Sequence, residues 1–138
     1  MTKLVLWSLM DWRLLESFAF GDSPALADEL LALVLEGKKR ATCWAASQGL
    51  KGAEVGKLMV VLDGAGRPRA VVKTIELTRR GYDEVDAGFA FDEGEGDRSL
   101  AFWRAAHQRY FTRLKLFEPG MMLWCERFEL VASIPGPP

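Results

Sequence analysis

One helix is marked at both of its ends in the sequence, and its position limits where the strands of this chain can begin. Ser23 can accept a hydrogen bond from the first turn, and Pro24 suits the first helical position, where no backbone N–H is needed. Apolar residues then recur at helical spacing, namely Leu26, Leu30, Leu33 and Val34. Gly37 predicts a left-handed end to the helix, so the next element begins at Lys38.

The segments after this helix favour strands joined by short connections. The predicted strands span residues 38–47, 57–62, 69–77 and 121–131. Residues 48–56 are predicted to form a loop. The glycines of 63–68 permit positive φ and predict a tight hairpin connection.

Further helices are predicted near the N-terminus and in the second half of the chain. A short helix is expected at the start of residues 1–20, and another within 82–93 that ends at Gly94 and Gly96. A longer helix begins near Asp97 or Ser99. Its apolar stripe consists of Leu100, Trp103, His107, Tyr110 and Leu114. Several strands and two covering helices predict an α+β domain with a mainly antiparallel sheet, curled or closed.

The length and composition predict one globular domain. The 138 residues are 49% hydrophobic and 27% charged, enough for a real core. Residues 1–17 are expected to form a helical extension, and residues 133–138 a loose tail with nothing to pack. The chain has no apolar run long enough for a membrane span and no secretory h-region or cleavage site, so the cytoplasm is the expected compartment.

The charge balance argues against a broad nucleic-acid-binding surface. The formal net charge is −1, whereas proteins that grip long nucleic acids through many phosphates are usually strongly basic. Any nucleic-acid contact is therefore expected through a small cleft. Cys43 and Cys125 have no second cysteine or histidine at zinc spacing and are interpreted as buried reduced thiols. No metal or cofactor is predicted.

A G-x-K-x-x-T pattern follows the capped helix through Gly37, Lys39 and Thr42. By itself this pattern is unspecific, because surface lysines after a helix also complement the negative helix end. An acidic run follows in the second half of the chain, at Asp92, Glu93, Glu95 and Asp97. Capping and solvation are one interpretation of this run, and a metal or catalytic carboxylate is the other.

Taken as an ordered set, several segments resemble the ASCH family. The matching segments are 20–30, 37–42, 60–64, 93–100 with 103–104, and 124–128. The resemblance covers about residues 18 to 131 and implies a small, mainly antiparallel β-barrel similar to the PUA domain, with helices across its openings. The family is associated with RNA binding, and its members include N4-acetylcytidine amidohydrolases and proteins reported as ribonucleases.

The resemblance also implies a catalytic group. In the deacetylating members this group is the lysine and threonine of the G-x-K-x-x-T segment with a downstream glutamate, which fall here on Lys39, Thr42 and Glu93. Amide cleavage needs a nucleophile, a base and an oxyanion donor, and Thr42 can supply the hydroxyl. Lys39 can be the base only if burial lowers its pKa, whereas a close Glu93 would raise that pKa.

Four further residues are candidates for substrate binding. Trp44 and Tyr82 could stack on bases, Arg40 follows the candidate lysine, and His107 could serve as a ribonuclease acid or base. A satisfied core position for His107 is the alternative. The leading hypothesis is a hydrolase acting on RNA or a modified nucleoside such as N4-acylated cytidine. The competing hypothesis is a non-catalytic RNA-binding module, in which Lys39 contacts phosphate.

Overall fold

The computed structural model describes residues 11–136. The strands are β1 (Ser17–Phe18), β2 (Ala41–Ala45), β3 (Leu58–Leu62), β4 (Pro68–Gly81) and β5 (Met122–Ser133). The α-helices are α1 (Pro24–Leu35), α2 (Ala87–Glu93) and α3 (Leu100–Arg113). Single 3-10 turns lie at Trp12–Leu14, Ala46–Gln48 and Tyr82–Glu84. No helix in this part of the chain has both the length and the apolar character needed to cross a membrane.

The five described strands form one sheet in the order β1-β3-β4-β5-β2. All neighbours are antiparallel except the short parallel pair β1–β3. The predicted mixed α+β class and mainly antiparallel sheet are confirmed. The predicted barrel closure is not found among residues 11–136, because the outer strands β1 and β2 do not pair. Register shifts between β4 and β5 bend the longest strands of this open sheet.

Helix α1 has both of the ends that the sequence predicts. The Ser23 hydroxyl accepts a hydrogen bond from the Leu26 N–H at 3.1 Å. Gly37 has a φ of 79°, and the N–H groups of Gly37 and Lys38 donate to carbonyls of the last helical turns. This turn reverses the chain so that Lys39 leaves the helix toward the interior.

The two terminal segments differ from expectation. Residues 11–20 contain one 3-10 turn and strand β1 in place of a helix, while residues 1–10 of the predicted extension lie outside the described part of the chain. Ile134, expected in a loose tail, is only 6% exposed and its N–H donates to the Arg69 carbonyl at 2.7 Å. It packs beside Val60 and Val71, so the residue that follows β5 is held against the sheet.

Two of the three apolar clusters pack the helices against the sheet. Helices α2 and α3 contribute Phe89, Trp103 and Phe111 to one of them. Helix α1 contributes its buried leucines to the other, which contains Phe20 and Phe128 from the rest of the chain. Lys39 is a charged side chain buried in this largely apolar interior.

Candidate active site

Lys39 is one of the most deeply buried side chains in the described structure, with 2% of its surface exposed. Its ammonium donates to the Ala41 carbonyl at 2.8 Å, to Oε1 of Glu93 at 3.1 Å and to Oε2 of Glu95 at 3.0 Å. It also lies 5.4 Å from the centroid of the Phe20 ring. Each of its three protons therefore has an acceptor, as a buried cation requires.

Glu93, the last residue of α2, is the counter-ion at the centre of the site and is 1% exposed. One carboxylate oxygen accepts from Lys39. The other accepts from the Trp103 indole N–H, lies 3.1 Å from Nε2 of His107 and accepts from the Cys43 thiol at 3.5 Å. A single carboxylate thus connects β2, α3 and the segment that follows α1.

The close charges determine the ionisation of the pair. Burial disfavours the charged form of Glu93, but the neighbouring Lys39 and His107 outweigh it and lower the pKa of Glu93 to about 2. Burial likewise acts to lower the pKa of Lys39, and the carboxylates of Glu93 and Glu95 overcome it and raise this pKa above its usual value. Lys39 is therefore an ammonium without a free lone pair, which argues against the general-base role considered for it.

His107 is held by two groups that can only accept hydrogen bonds. Its Nδ1 lies 2.9 Å from the Trp103 carbonyl oxygen, and its Nε2 lies 3.1 Å from the Glu93 carboxylate. Both ring nitrogens therefore carry protons. Burial acts to lower the pKa of His107, but the charge of Glu93 raises it. The ring is also stacked on Trp103 with centroids 4.2 Å apart, so His107 is a fixed cation in the wall of the site.

A cavity of about 440 Å³ opens beside this cluster, between helices α1 and α3 and strand β2. Four of the predicted site residues line it, namely Lys39, Thr42, Glu93 and His107. Charged residues of both signs complete its polar lining, including Glu29, Glu95, Arg109 and Arg113. The structure thus brings Thr42 to the same cavity as the buried lysine, although the two side chains are three residues apart in the chain.

The other three predicted residues lie elsewhere. The Arg40 side chain is 49% exposed and pairs with Asp92 at 2.7 Å on the outer surface. Trp44 lines a neighbouring cleft, and its indole N–H donates to a loop carbonyl at 2.8 Å. Tyr82 is 6% exposed and its ring centroid lies 5.4 Å from that of Trp103, so it belongs to the core and does not offer a face for base stacking.

The acidic run has divided roles. Ser99 caps α3 by accepting from the Phe102 N–H, and Asp97 accepts from the Ser99 N–H, so the capping interpretation is confirmed there. Glu93 and Glu95 instead hold the buried ammonium. The sequence spacing of the acidic residues does not distinguish helix capping from contact with the ammonium. The glycine turn after α2 decides which of their side chains point inward.

Three potential metal ligands also meet in the cluster, since Cys43, Glu93 and His107 have ligand atoms within 4.8 Å of one another. Metal binding requires a thiolate and an unprotonated imidazole nitrogen. Burial and the nearby Glu93 raise the pKa of Cys43 well above its usual value, and both His107 nitrogens are engaged as donors. The Lys39 ammonium would also repel a cation, so these residues do not fit a metal site.

The fold and the site define an α+β domain whose small cavity contains a buried lysine, a threonine and a carboxylate. A family model described as the ASCH domain matches residues 16–132. This chain belongs to the ASCH family, which has a PUA-like fold. The resemblance noted in the sequence is thereby confirmed.

Solved structures agree with this assignment. The chain is similar to the crystal structure of an ASCH domain from Lactobacillus crispatus JV V101, with a TM-score of 0.77, 34% identity, and coverage of 84% of this chain and 79% of that one. It is also similar to a protein from Enterococcus faecalis V583, with a TM-score of 0.77, 26% identity, and coverage of 94% and 83%. No curated protein matches this chain.

Proposed function

We propose that this protein is an amidohydrolase acting on RNA-derived nucleosides, with N4-acylated cytidine as its substrate class. One observation carries the proposal: a fully buried Lys39 ammonium, fixed by Glu93, lines the same cavity as the Thr42 hydroxyl. This is the residue set expected from the resemblance to deacetylating family members. A nucleophile beside a fixed cation is what acyl transfer requires.

The electrostatics favour a role for the Lys39 cation at the developing oxyanion. Lys39 is already protonated, so it can stabilise negative charge on the substrate carbonyl oxygen without first acquiring a proton. One of its partners is exchangeable, because the Glu95 side chain is 22% exposed whereas that of Glu93 is 2% exposed. A substrate oxygen could replace Glu95 while Glu93 keeps Lys39 in position.

The size and charge of the cavity favour a nucleoside over a long RNA. A volume of about 440 Å³ is in the usual range for small-molecule sites. Its lining mixes Glu29 and Glu95 with Arg109 and Arg113, and the whole chain has a net charge of −1. That combination provides little phosphate attraction along a polymer.

Ribonuclease activity and RNA binding without catalysis are the alternatives. Arg109 and Arg113 at the cavity could contact phosphate, although Arg113 already pairs with Asp22 at 3.2 Å. A ribonuclease that used His107 as its base would need a free imidazole nitrogen, and both nitrogens face acceptors. These observations rank both alternatives below amide hydrolysis.

The direct test is release of cytidine from N4-acetylcytidine, followed chromatographically. Lys39→Met and Thr42→Val remove the ammonium and the hydroxyl while keeping similar side-chain shapes. Each is expected to lower kcat by about 10²-fold or more, as loss of an oxyanion donor or nucleophile does. Arg40→Met is the matched control, because Arg40 adjoins Lys39 in sequence but points to solvent.

A labelled single-stranded RNA is incubated in parallel, with and without EDTA. Cleavage of RNA without release of cytidine would favour the ribonuclease. Wild-type activity that survives Thr42→Val unchanged would contradict the assigned nucleophile. If a folded sample changes neither substrate, the hydrolase proposal fails, and RNA binding at several salt concentrations becomes the deciding measurement.

A further inference from the structure

A second cleft of about 240 Å³ lies on the open side of the sheet, between β1 and β2. Every strand of the sheet contributes to it, through Phe18, Thr42, Trp44, Met59, Thr74 and Glu126. Thr42 and Cys43 line both this second cleft and the cavity of Lys39. Thr42 therefore borders both spaces, and groups that line the second cleft lie near it.

Thr42 needs a base, because a neutral hydroxyl is a poor nucleophile. The Lys39 ammonium has no lone pair, and its protons are taken by three acceptors. Both nitrogens of His107 are donors. The Glu93 carboxylate is held by its contacts with Lys39, Trp103 and His107, and with a pKa of about 2 it is a weak base. Lys39, His107 and Glu93 thus provide no effective proton acceptor for Thr42.

Glu126 meets this need by position. It lies directly opposite Thr42 in the antiparallel register of β2 and β5. Side chains of such a pair project from the same face, with Cβ atoms about 4.5–5.5 Å apart. The Thr74 hydroxyl donates to Oε2 of Glu126 at 2.5 Å, which orients the carboxylate from the β4 side. Burial raises the pKa of Glu126, although Thr74 and Lys39 act to lower it.

We propose that Glu126 is the general base of this active site and takes the proton of the Thr42 hydroxyl during attack on the acyl carbon. This inference rests on the proposed amidohydrolase function. The Thr42 oxygen bonds to the acyl carbon, its proton passes to Glu126, and the carbonyl electron pair moves to the oxygen that Lys39 stabilises. Collapse of this intermediate breaks the C–N bond, and Glu126 returns the proton to the departing nitrogen.

The second half of the reaction uses the same carboxylate. A water molecule gives one proton to Glu126 and bonds to the acyl carbon of the threonine ester. Cleavage of the ester C–O bond then releases the carboxylic acid, and the proton passes from Glu126 to the Thr42 oxygen. Atoms and charges balance over the cycle without a further reactant.

Other titratable groups face the second cleft and must be separated from Glu126. They are Cys43 on β2, Lys51 in the loop before β3, and Tyr110 on α3, while Lys39 acts through space from the adjoining cavity. Burial raises the pKa of both Cys43 and Tyr110, so these groups stay neutral at acidic pH. Lys39 stays charged there. Among the groups that line the second cleft, Glu126 is the carboxylate, so a part of the acidic limb that Glu126→Gln removes reports on this residue.

The test is the pH profile of kcat/KM on N4-acetylcytidine for two nearly isosteric variants. Glu126→Gln is expected to lower kcat by about 10²- to 10⁴-fold with KM little changed, and to abolish the acidic limb. Thr74→Val removes a hydrogen bond that favours the charged carboxylate, so the acidic limb moves to higher pH while activity recovers above it. Glu129→Gln on the same strand is the matched control.

The outcomes distinguish this inference from the proposed function. If wild type hydrolyses the substrate and Glu126→Gln keeps the same rate and the same acidic limb, the assigned base is wrong. The proposed amidohydrolase function then still stands. No hydrolysis by wild type overturns both. If Glu126→Gln does not fold, the Thr74→Val variant decides. An acidic limb at the same pH in Thr74→Val as in wild type overturns the inference. Carboxyl ¹³C NMR should show a titration above the usual glutamate range that Glu126→Gln removes and Glu129→Gln retains.

Discussion

Glu93 shows how one residue can determine the charge state of an entire site. Its carboxylate contacts Lys39, Trp103 and His107 and is almost fully buried. The charges of Lys39 and His107 offset the free-energy cost of burying the Glu93 carboxylate. The carboxylate in turn offsets the cost of burying the two cations. Removal of its charge is therefore expected to affect stability as well as activity.

Glu93→Gln should lower the free energy of unfolding at pH 7 by about 3–5 kcal/mol, because it leaves buried cations without their counter-ion. The folded-state pKa of Glu93, about 2, lies below its usual 4.5. Its stabilising effect is therefore complete above about pH 4.5 and is lost as the pH falls toward 2. Urea unfolding at pH 7, 4.5 and 3 should show the difference from wild type narrowing with acid.

Glu36→Gln is the control for this series, because Glu36 pairs with Lys38 on the exposed surface. It should follow the wild-type curve at each pH. A deficit in Glu93→Gln that stays constant down to pH 3 would argue against an ionised, stabilising Glu93.

At the scale of elements, the turn after α2 brings the two halves of the site together. Gly94 ends this helix with a φ of 77°, and a Cβ at this position would lie 2.3 Å from the Lys38 carbonyl oxygen. The backbone N–H of Arg40 also donates to the Asp92 carbonyl at 2.6 Å. This close approach of two backbones allows the Lys39 side chain to reach Glu93.

Gly94→Ala is expected to destabilise the fold through two separate effects. A left-handed alanine costs about 1–2 kcal/mol, and relief of the steric overlap with Lys38 adds about 1–3 kcal/mol. Because the turn positions Glu93, hydrolytic activity should fall with stability. Thermal unfolding measures the loss of stability, and cytidine release measures the loss of activity.

Gly120→Ala is the matched comparison, since Gly120 has a φ of 72° but nothing lies within 4 Å of a built Cβ. It should show the conformational cost alone and keep its activity. Equal destabilisation of the two variants would mean that the contact between Gly94 and Lys38 contributes nothing.

At the scale of the whole molecule, the residue that follows β5 packs against the sheet. Ile134 is buried with Val60 and Val71, and its backbone pairs with Arg69. Ile134→Ala should lower the free energy of unfolding by about 2–5 kcal/mol, as loss of a buried isoleucine side chain does. Ile75→Ala, at a site that is 50% exposed, should cost much less in the same urea titration. Similar losses for both would contradict packing of Ile134.

The balanced charge predicts weak binding of long RNA. With a net charge of −1 and a mixed cavity lining, the protein offers few phosphate contacts. Fluorescence anisotropy with single-stranded RNAs of increasing length should show little gain in affinity and a shallow dependence on salt. A steep salt dependence that grows with length would favour the RNA-binding module instead.

Much of the local structure could be predicted because it depends on neighbours in the sequence. The N-cap of Ser23 and the left-handed Gly37 arise from hydrogen bonds within one helical turn, and both were found as expected. Tyr82 was harder to interpret, since exposed and buried aromatic residues look alike in sequence. Ile134 was misjudged because its partner strand lies more than sixty residues away.

The sequence by itself determined the capped helix α1, the α+β class and the family to which the chain belongs, because these depend on short-range patterns and on the order of motifs. Only the tertiary structure decided the chemistry of the site. Lys39 and Glu93 are 54 residues apart, and their contact makes the lysine a fixed cation. Likewise, the register of β2 and β5 places Glu126 opposite Thr42. A pKa depends on charges and burial in three dimensions, so a motif can supply the residues of a site without showing which of them can carry a proton.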